Sequence, residues 1–300
     1  MNARSSMSER ILRQMIIETT EKAYAKLNIS LDVTDKRDDG YHNMVMVMQS
    51  VSLSDDVHIT VNESGRVFAR TNLRFIPSDA RNLAVKAALR FFSAVGDTKH
   101  GAAIHIAKHI PVGSGMGGGS SDAAAVLRAL NRVFSDRFTL EELAEMGADV
   151  GSDVPFCVMG GTMLAKGRGE ILTRLTPLPD CTFVICKPNF SVSTPELFRQ
   201  LDAVGNKHHP DTAGILTALE AGDLPSICRR MFNVFETVED RRMRPVSEIK
   251  GILLDKGAIG SIMTGTGSAV FGIFDDADKA KASVEGLRKE FGFCCTAHAV

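Results

Sequence analysis

Five of the seven residues from Gly113 to Gly119 are glycine, within KHIPVGSGMGGGSSDAAA, and the run leads straight into an alanine-rich segment. Neither a helix nor a strand accommodates glycine at that density, because each one loses the most backbone entropy on ordering and packs no side chain. The run is therefore expected to be a loop whose shape is a property of the backbone. After Asp122 the apolar positions Ala123, Val126, Leu127, Leu130 and Val133 recur at helical spacing, so the loop ends at a helix N-terminus. A flexible linker does not normally launch an amphipathic helix. Converging glycine amides and the partial positive charge of a helix start make an anion site, for which phosphate is the natural guest. Ser114, Ser120 and Ser121 add hydroxyls that can donate to phosphate or turn a lone pair toward a metal.

Two known phosphate loops compete for this stretch. The Walker pattern fails, since no lysine follows the last glycine. The dinucleotide pattern G-x-G-x-x-G is present at Gly113, Gly115 and Gly118, but Lys108 to Val112 separate it from the preceding strand. The helix is also not expected to lead into a second strand ending in a ribose-binding acid.

The rest of the chain reads as an ordinary globular protein of 300 residues, 44% hydrophobic and 24% charged, long enough for about two domains. Its 35 basic and 36 acidic residues leave a formal charge of -1, and no basic stripe interleaves with aromatics, which argues against a nucleic-acid partner. No apolar run approaches the roughly 18 to 20 residues of a membrane helix. The N-terminus lacks the apolar core of a secretory signal and carries Glu9, Glu18 and Glu21, unlike a transit peptide. Residues 1–22 are therefore expected to be a short helical or frayed extension, and the protein to be cytoplasmic. The six cysteines form no C-x-x-C pair and read as reduced, mostly buried thiols, and the histidines show no metal-ligand spacing.

From Tyr24 the residues alternate, with Ala25, Leu27, Ile29, Leu31 and Val33 apolar, which predicts a half-buried strand whose polar face carries Lys26 and Asn28. Further strands are expected over 44–51, 57–61 and 102–107, with a turn at KRDDGYHN and a helix across NLAVKAALRFFSAV. Thr139 opens a capping box. Asp153 falls in a Gly-Ser turn before an expected apolar strand. A strand at 182–186 leads to Thr194 as an N-cap followed by Pro195, then helices to about Lys256. The chain ends strand, turn, strand, helix, strand, so the fold class is α+β, with a domain boundary near residue 180. A triphosphate in the glycine loop needs a lysine from elsewhere and a carboxylate to orient or deprotonate an attacking alcohol. Lys26 and Asp153 are the candidates, against the plain alternatives of a solvated strand lysine and a structural turn aspartate.

AKLNISLDV with DGYHN, PVGSGMGGGSSDAAAVLRALN, VGSDVPFCVMGGTMLAKGRGE and IMTGTGSAVFGIF occur in order and together resemble the motif set of the GHMP small-molecule kinase superfamily. The resemblance spans nearly the whole chain after Lys22. Within the superfamily, the GGGSSDAAA form, the K-x-N strand and the DGYH turn resemble the branch that phosphorylates a cytidine diphosphate-linked methylerythritol. The resemblance implies a two-domain α+β GHMP kinase fold. Residues 23–180 would form an ATP-binding domain like the second domain of ribosomal protein S5, and 181–300 a ferredoxin-like domain, with the active site in the cleft between them. It implies ATP and magnesium as cofactors, Asp153 as catalytic base and Lys26 as its charged partner. It places Lys108, Pro111, Gly113, Ser114, Gly115, Met116, Gly117, Gly118, Gly119, Ser120 and Ser121 along the ATP, with Asn82 on the adenosine side. For the acceptor it implies Asn28 against the methylerythritol, Tyr41 and His42 reading the cytidine, and Thr194 and Phe198 at the start of a helix, with Phe198 stacking on the cytosine. The metal ligands are not identified, and monomer and homodimer are both compatible. Met116 stands where leucine is common, and Thr264 and Thr266 where serines are common. The rival readings are another kinase of the superfamily acting on homoserine, mevalonate or a sugar, a nicotinamide-dependent oxidoreductase, and a non-catalytic nucleotide-binding relative.

Overall fold

Alternation of partly buried Ile17, Thr19 and Glu21 with exposed Glu18, Thr20 and Lys22 begins the first strand well before Tyr24. In this computed structural model, which describes residues 16–205, 208–238 and 240–300, the expected N-terminal extension therefore ends in a strand. Its first 15 residues lie outside the described part. Ile16, Ile17, Thr19 and Thr20 are β-branched and favour a pleated surface. Of the acids in this strand, Glu18 takes an exposed position and Glu21 a partly buried one.

In chain order the elements are β1 (Ile17–Lys36), β2 (His42–Asn62), β3 (Val67–Thr71), α1 (Leu83–Ala94), β4 (Gly101–Ala107), α2 (Gly118–Val133), α3 (Leu140–Ala148) and α4 (Val154–Met159). They continue with β5 (Thr162–Gly167), β6 (Ile171–Arg174), β7 (Thr182–Lys187), α5 (Thr194–Val204), α6 (Thr212–Glu220), α7 (Leu224–Arg229) and β8 (Phe232–Asn233). The last are α8 (Arg244–Asp255), β9 (Gly260–Met263), β10 (Val270–Phe274), α9 (Ala277–Phe291) and β11 (Phe293–His298). The two strands expected at 44–51 and 57–61 are one continuous strand. The apolar run after Asp153 is the helix α4 and not a strand. Six apolar residues fit either form, and Pro155 in the first turn, where no intrahelical N–H is needed, decides for the helix.

Two units share the chain. The first consists of residues 16–23, 55–109 and 119–158, and the second of residues 24–54, 110–118 and 159–300. In the first, the later part of β2 pairs antiparallel with β4 from Asp56 opposite Ala107 to Asn62 opposite Gly101, and β4 pairs parallel with β3. Phe91 of α1, fully buried, meets Phe92, Phe134 and Phe138 edge to face, an arrangement that suits the ring quadrupoles. Thr139 and Glu142 form the expected capping box of α3. Arg128 of α2 donates to the Glu21 carboxylate at 2.9 Å, to the Cys157 carbonyl at 2.6 Å and to the Lys22 carbonyl at 3.0 Å. One guanidinium thus ties the start of β1 and the helix α4 to α2.

In the second unit the earlier part of β2 pairs antiparallel with β5, which pairs with β6, while β8 adds parallel to β1 at Ser30 and Leu31. Residue 180, near which a domain boundary is expected from sequence, lies inside the second unit, whose last segment begins at 159, and it precedes β7, a strand of a separate four-stranded sheet in the order β11-β7-β10-β9. All three pairings are antiparallel. Numbered by chain order that is 4-1-3-2 with helices after the first and third strands, the ferredoxin-like pattern. Ala25 to Val33 of β1 are buried on both faces, so the expected half-buried strand is a fully covered one. The apolar side joins the core with Val47, Ile185 and Phe271, and the polar side is covered by the Thr264 turn and by His209, whose ring lies 2.9 Å from Asp32. Among the described residues no helix is long and apolar enough to cross a membrane.

Candidate active site

The glycine loop is shaped by packing within the second unit. Gly113, Gly115 and Gly117 all have positive φ, at 64°, 78° and 70°. At Gly115 a β-carbon would stand 2.2 Å from the Thr264 carbonyl oxygen, so this position has no room for any side chain. The residues between the first glycines point inward. Ser114 is buried and its carbonyl accepts from the Ala269 amide at 3.1 Å, while Met116 is fully buried and its carbonyl accepts from the Lys26 amide at 3.1 Å. Met116 therefore acts as an apolar plug, for which leucine and methionine serve equally.

Lys26 is not a solvated strand lysine. It is 4% exposed, and its ammonium donates to the Asn28 side-chain oxygen at 2.7 Å. Asn28 is fully buried, its backbone amide donates to the Thr264 hydroxyl at 3.1 Å, and its side-chain amide reaches the Met46 sulfur at 3.4 Å. Two residues apart on one face of β1, the pair is thus fixed from the same turn that packs on Gly115.

The loop passes into α2, whose first turn belongs to the first unit with Asp153. Asp153 lies half-buried in the turn before α4. A β-carbon at Gly151 would come within 3.9 Å of the Ser120 hydroxyl and 3.8 Å of Leu83, and one at Gly119 within 3.6 Å of the same leucine. The Ser121 hydroxyl and the Cys157 thiol are hydrogen-bonded at 3.4 Å. The turn that carries the carboxylate is therefore packed on the first turn of the helix the glycine loop launches. α2 leads on to α3 and not to a strand, which removes the dinucleotide reading of the glycines.

Two residues expected along the ATP also make structural contacts. Asn82 caps α1, accepting from the Ala84 amide at 3.0 Å and donating to the Pro77 carbonyl at 2.9 Å. The Lys108 ammonium is buried between the carboxylates of Asp55 and Asp122, 2.6 Å from the latter, and Asp55 also accepts from the His109 amide at 2.5 Å. One cation beneath two buried carboxylates leaves an excess negative charge, and burial pushes the Asp122 carboxyl up to about 8 against the pull of Lys108.

On the acceptor side, His42 stacks on Phe198 with ring centroids 4.7 Å apart and planes at 24°, and Phe235 meets Phe198 edge to face at 4.9 Å. Tyr41 is 55% exposed, with the Arg168 guanidinium 5.1 Å above its ring. Thr194 is the first residue of α5 and not its cap. Ser193 occupies the cap position without a side-chain bond, and the Thr194 hydroxyl meets that of Thr266 at 2.9 Å. Asp55, Asp122 and Asp202 were missed from sequence because each lies far along the chain from its partner. Asp202 alone carried a usable signal, four residues after Phe198 on one helical face.

Comparison with known proteins follows the same lines. The GHMP kinases N-terminal domain matches residues 82–161 and the GHMP kinases C-terminal domain residues 215–292. A crystal structure of 4-(cytidine 5'-diphospho)-2C-methyl-D-erythritol kinase superposes with a TM-score of 0.77 at 31% identity, over 94% of this chain and 99% of that one. The homoserine kinase of Cytophaga hutchinsonii, at 20% identity and a TM-score of 0.75, shares the fold over 94% of both chains. The fold is thus the two-domain α+β fold of the GHMP kinases. The 4-diphosphocytidyl-2-C-methyl-D-erythritol kinase of Bacillus licheniformis is 44% identical over 93% of this chain and 95% of its own, and that of Bacillus subtilis 43% identical over the same shares. The chain belongs to the 4-diphosphocytidyl-2-C-methyl-D-erythritol kinase family.

Lys108→Met leaves buried carboxylates without their cation and is expected to cost about 3 to 5 kcal/mol in urea unfolding. A variant of native stability with weakened ATP binding would instead make Lys108 a ligand. Asp122 supplies a pH test. The folded protein keeps this proton to a higher pH than the unfolded chain, so its contribution is full below about 4 and is lost as pH rises through about 8. Asp122→Asn is expected to flatten the fall of Tm across that window, and an unchanged slope would contradict the assignment.

Proposed function

We propose that this chain transfers the γ-phosphate of ATP to the 2-hydroxyl of 4-diphosphocytidyl-2-C-methyl-D-erythritol, giving the 2-phosphate and ADP, in the non-mevalonate route to isoprenoid precursors. The observation that carries the reading is identity of 42 to 44% with kinases of that name over nine-tenths of the chain. The packing of the Asp153 turn on the start of α2 supports it, because it brings the turn that carries a carboxylate to a helix N-terminus fit for phosphate. A cytoplasmic location goes with this reading.

In the proposed reaction the Asp153 carboxylate takes the proton of the acceptor hydroxyl as its oxygen bonds to the γ-phosphorus. The bond to the β-phosphate oxygen breaks in line, and its electron pair leaves on ADP. The buried Lys26 ammonium, oriented by Asn28, offsets the negative charge that develops. Loop amides hold the phosphates, so positioning and electrostatics supply the rate and no covalent enzyme intermediate is needed. Among the described residues no cluster of three or more His, Cys, Asp or Glu suits a metal. Magnesium on ATP needs only one or two protein oxygens besides phosphate, and the half-buried Ser120 hydroxyl is of that kind. When bound, that ion would neutralise phosphate charge. Tyr41, His42 and Phe198 would form the cytidine side.

ADP release with the cytidyl acceptor, and none with mevalonate, homoserine or galactose, is the expected result. Turnover only on one of the latter would overturn the acceptor assignment. Asp153→Asn is expected to lower kcat by about 10² to 10⁴ while the KM for ATP changes little, and near-native turnover would remove Asp153 from the role of base.

A further inference from the structure

α5 presents Phe198 and Asp202 one turn apart, and both meet the same imidazole. Phe198 stacks on the His42 ring, while the Asp202 carboxylate lies 2.7 Å from His42 Nε2 through one oxygen and 2.7 Å from the Lys36 ammonium through the other. The His42 side chain is only 9% exposed, so its ring is fixed by a stack on one side and an acceptor at one nitrogen. Lys36 and His42 together hold the Asp202 carboxyl below the ordinary carboxylate range. It is thus ionised at neutral pH and can only accept hydrogen bonds.

We propose that Asp202 is a positioning residue for nucleobase selection, locking His42 as the Nε2–H tautomer so that Nδ1 offers a lone pair to the exocyclic amine of cytosine. A neutral imidazole that donates at one nitrogen accepts at the other, so the choice made at Nε2 fixes the chemistry of Nδ1. Among the described residues nothing is hydrogen-bonded to Nδ1. Cytosine presents an amino donor where uracil presents a carbonyl acceptor, and a lone pair facing a carbonyl leaves both unsatisfied. The inference rests on the cytidyl reading of the acceptor and adds the group that makes His42 selective.

The first measurement is the ¹⁵N spectrum of the His42 ring in the wild-type protein. A protonated, pyrrole-like Nε2 and an unprotonated Nδ1 are expected, and the opposite tautomer overturns the proposal whatever any variant does. The second is the kinetics of Asp202→Ala and Asp202→Asn. Loss of one such hydrogen bond is expected to raise the KM for the cytidyl acceptor about tenfold in Asp202→Ala, with a smaller fall in kcat and no change in the KM for ATP. The preference for the cytidyl acceptor over its uridyl analogue should fall by a similar factor. Asp202→Asn should recover most of both, since its amide oxygen can also accept from Nε2. A folded Asp202→Ala protein with native KM and native base preference would also overturn the proposal. Failure of the wild-type protein to use the cytidyl acceptor would instead overturn the functional reading, and the ring spectrum still judges the Asp202–His42 pairing.

Discussion

The bare backbone of Gly115 against the Thr264 carbonyl is a contact that no other residue type could make, and much of the site is hung from it. The Thr264 hydroxyl takes the backbone amide of Asn28, and Asn28 in turn orients the Lys26 ammonium. The Lys26 amide closes the circuit by donating to the Met116 carbonyl inside the glycine loop. Loop, lysine and turn are therefore one hydrogen-bonded assembly within the second unit, built from backbone groups and three buried polar side chains. As the proposed phosphate cradle, a loop held this way would be organised before any nucleotide arrives, which would spare the ordering cost that a flexible glycine run incurs on binding.

Each unit buries a lysine ammonium among hydrogen-bonding partners. In the second, the buried Lys26 ammonium donates to the neutral side-chain oxygen of Asn28. In the first, Lys108 is spent on two carboxylates.

Local patterns were readable where a single element decides them. The capping box at Thr139, the helix after the glycines and the strand, turn, strand, helix, strand ending all follow from spacing that one element imposes. What stayed illegible depends on partners distant in sequence. β1 alternates as if one face were wet, but the Thr264 turn and His209 cover it, and nothing near Asn28 in the chain announces that cover. Asn82, expected on the nucleotide side from its motif, is also an N-cap, which its place one residue before a helical apolar run already described. The run after Asp153 was too short for periodicity to separate strand from helix. The His42–Asp202 pair needs an entire fold to bring a turn and a helix together.

The most direct test of this account is the ATP affinity of Gly115→Ala, measured by calorimetry beside its thermal unfolding. The positive φ alone costs a non-glycine residue about 1 to 3 kcal/mol, and the β-carbon would meet a backbone carbonyl that cannot rotate away. The account predicts a lower Tm together with at least a tenfold loss of ATP affinity. A variant that binds ATP as the wild type does would show that the loop is not shaped by its contact with the Thr264 turn, and would contradict the account.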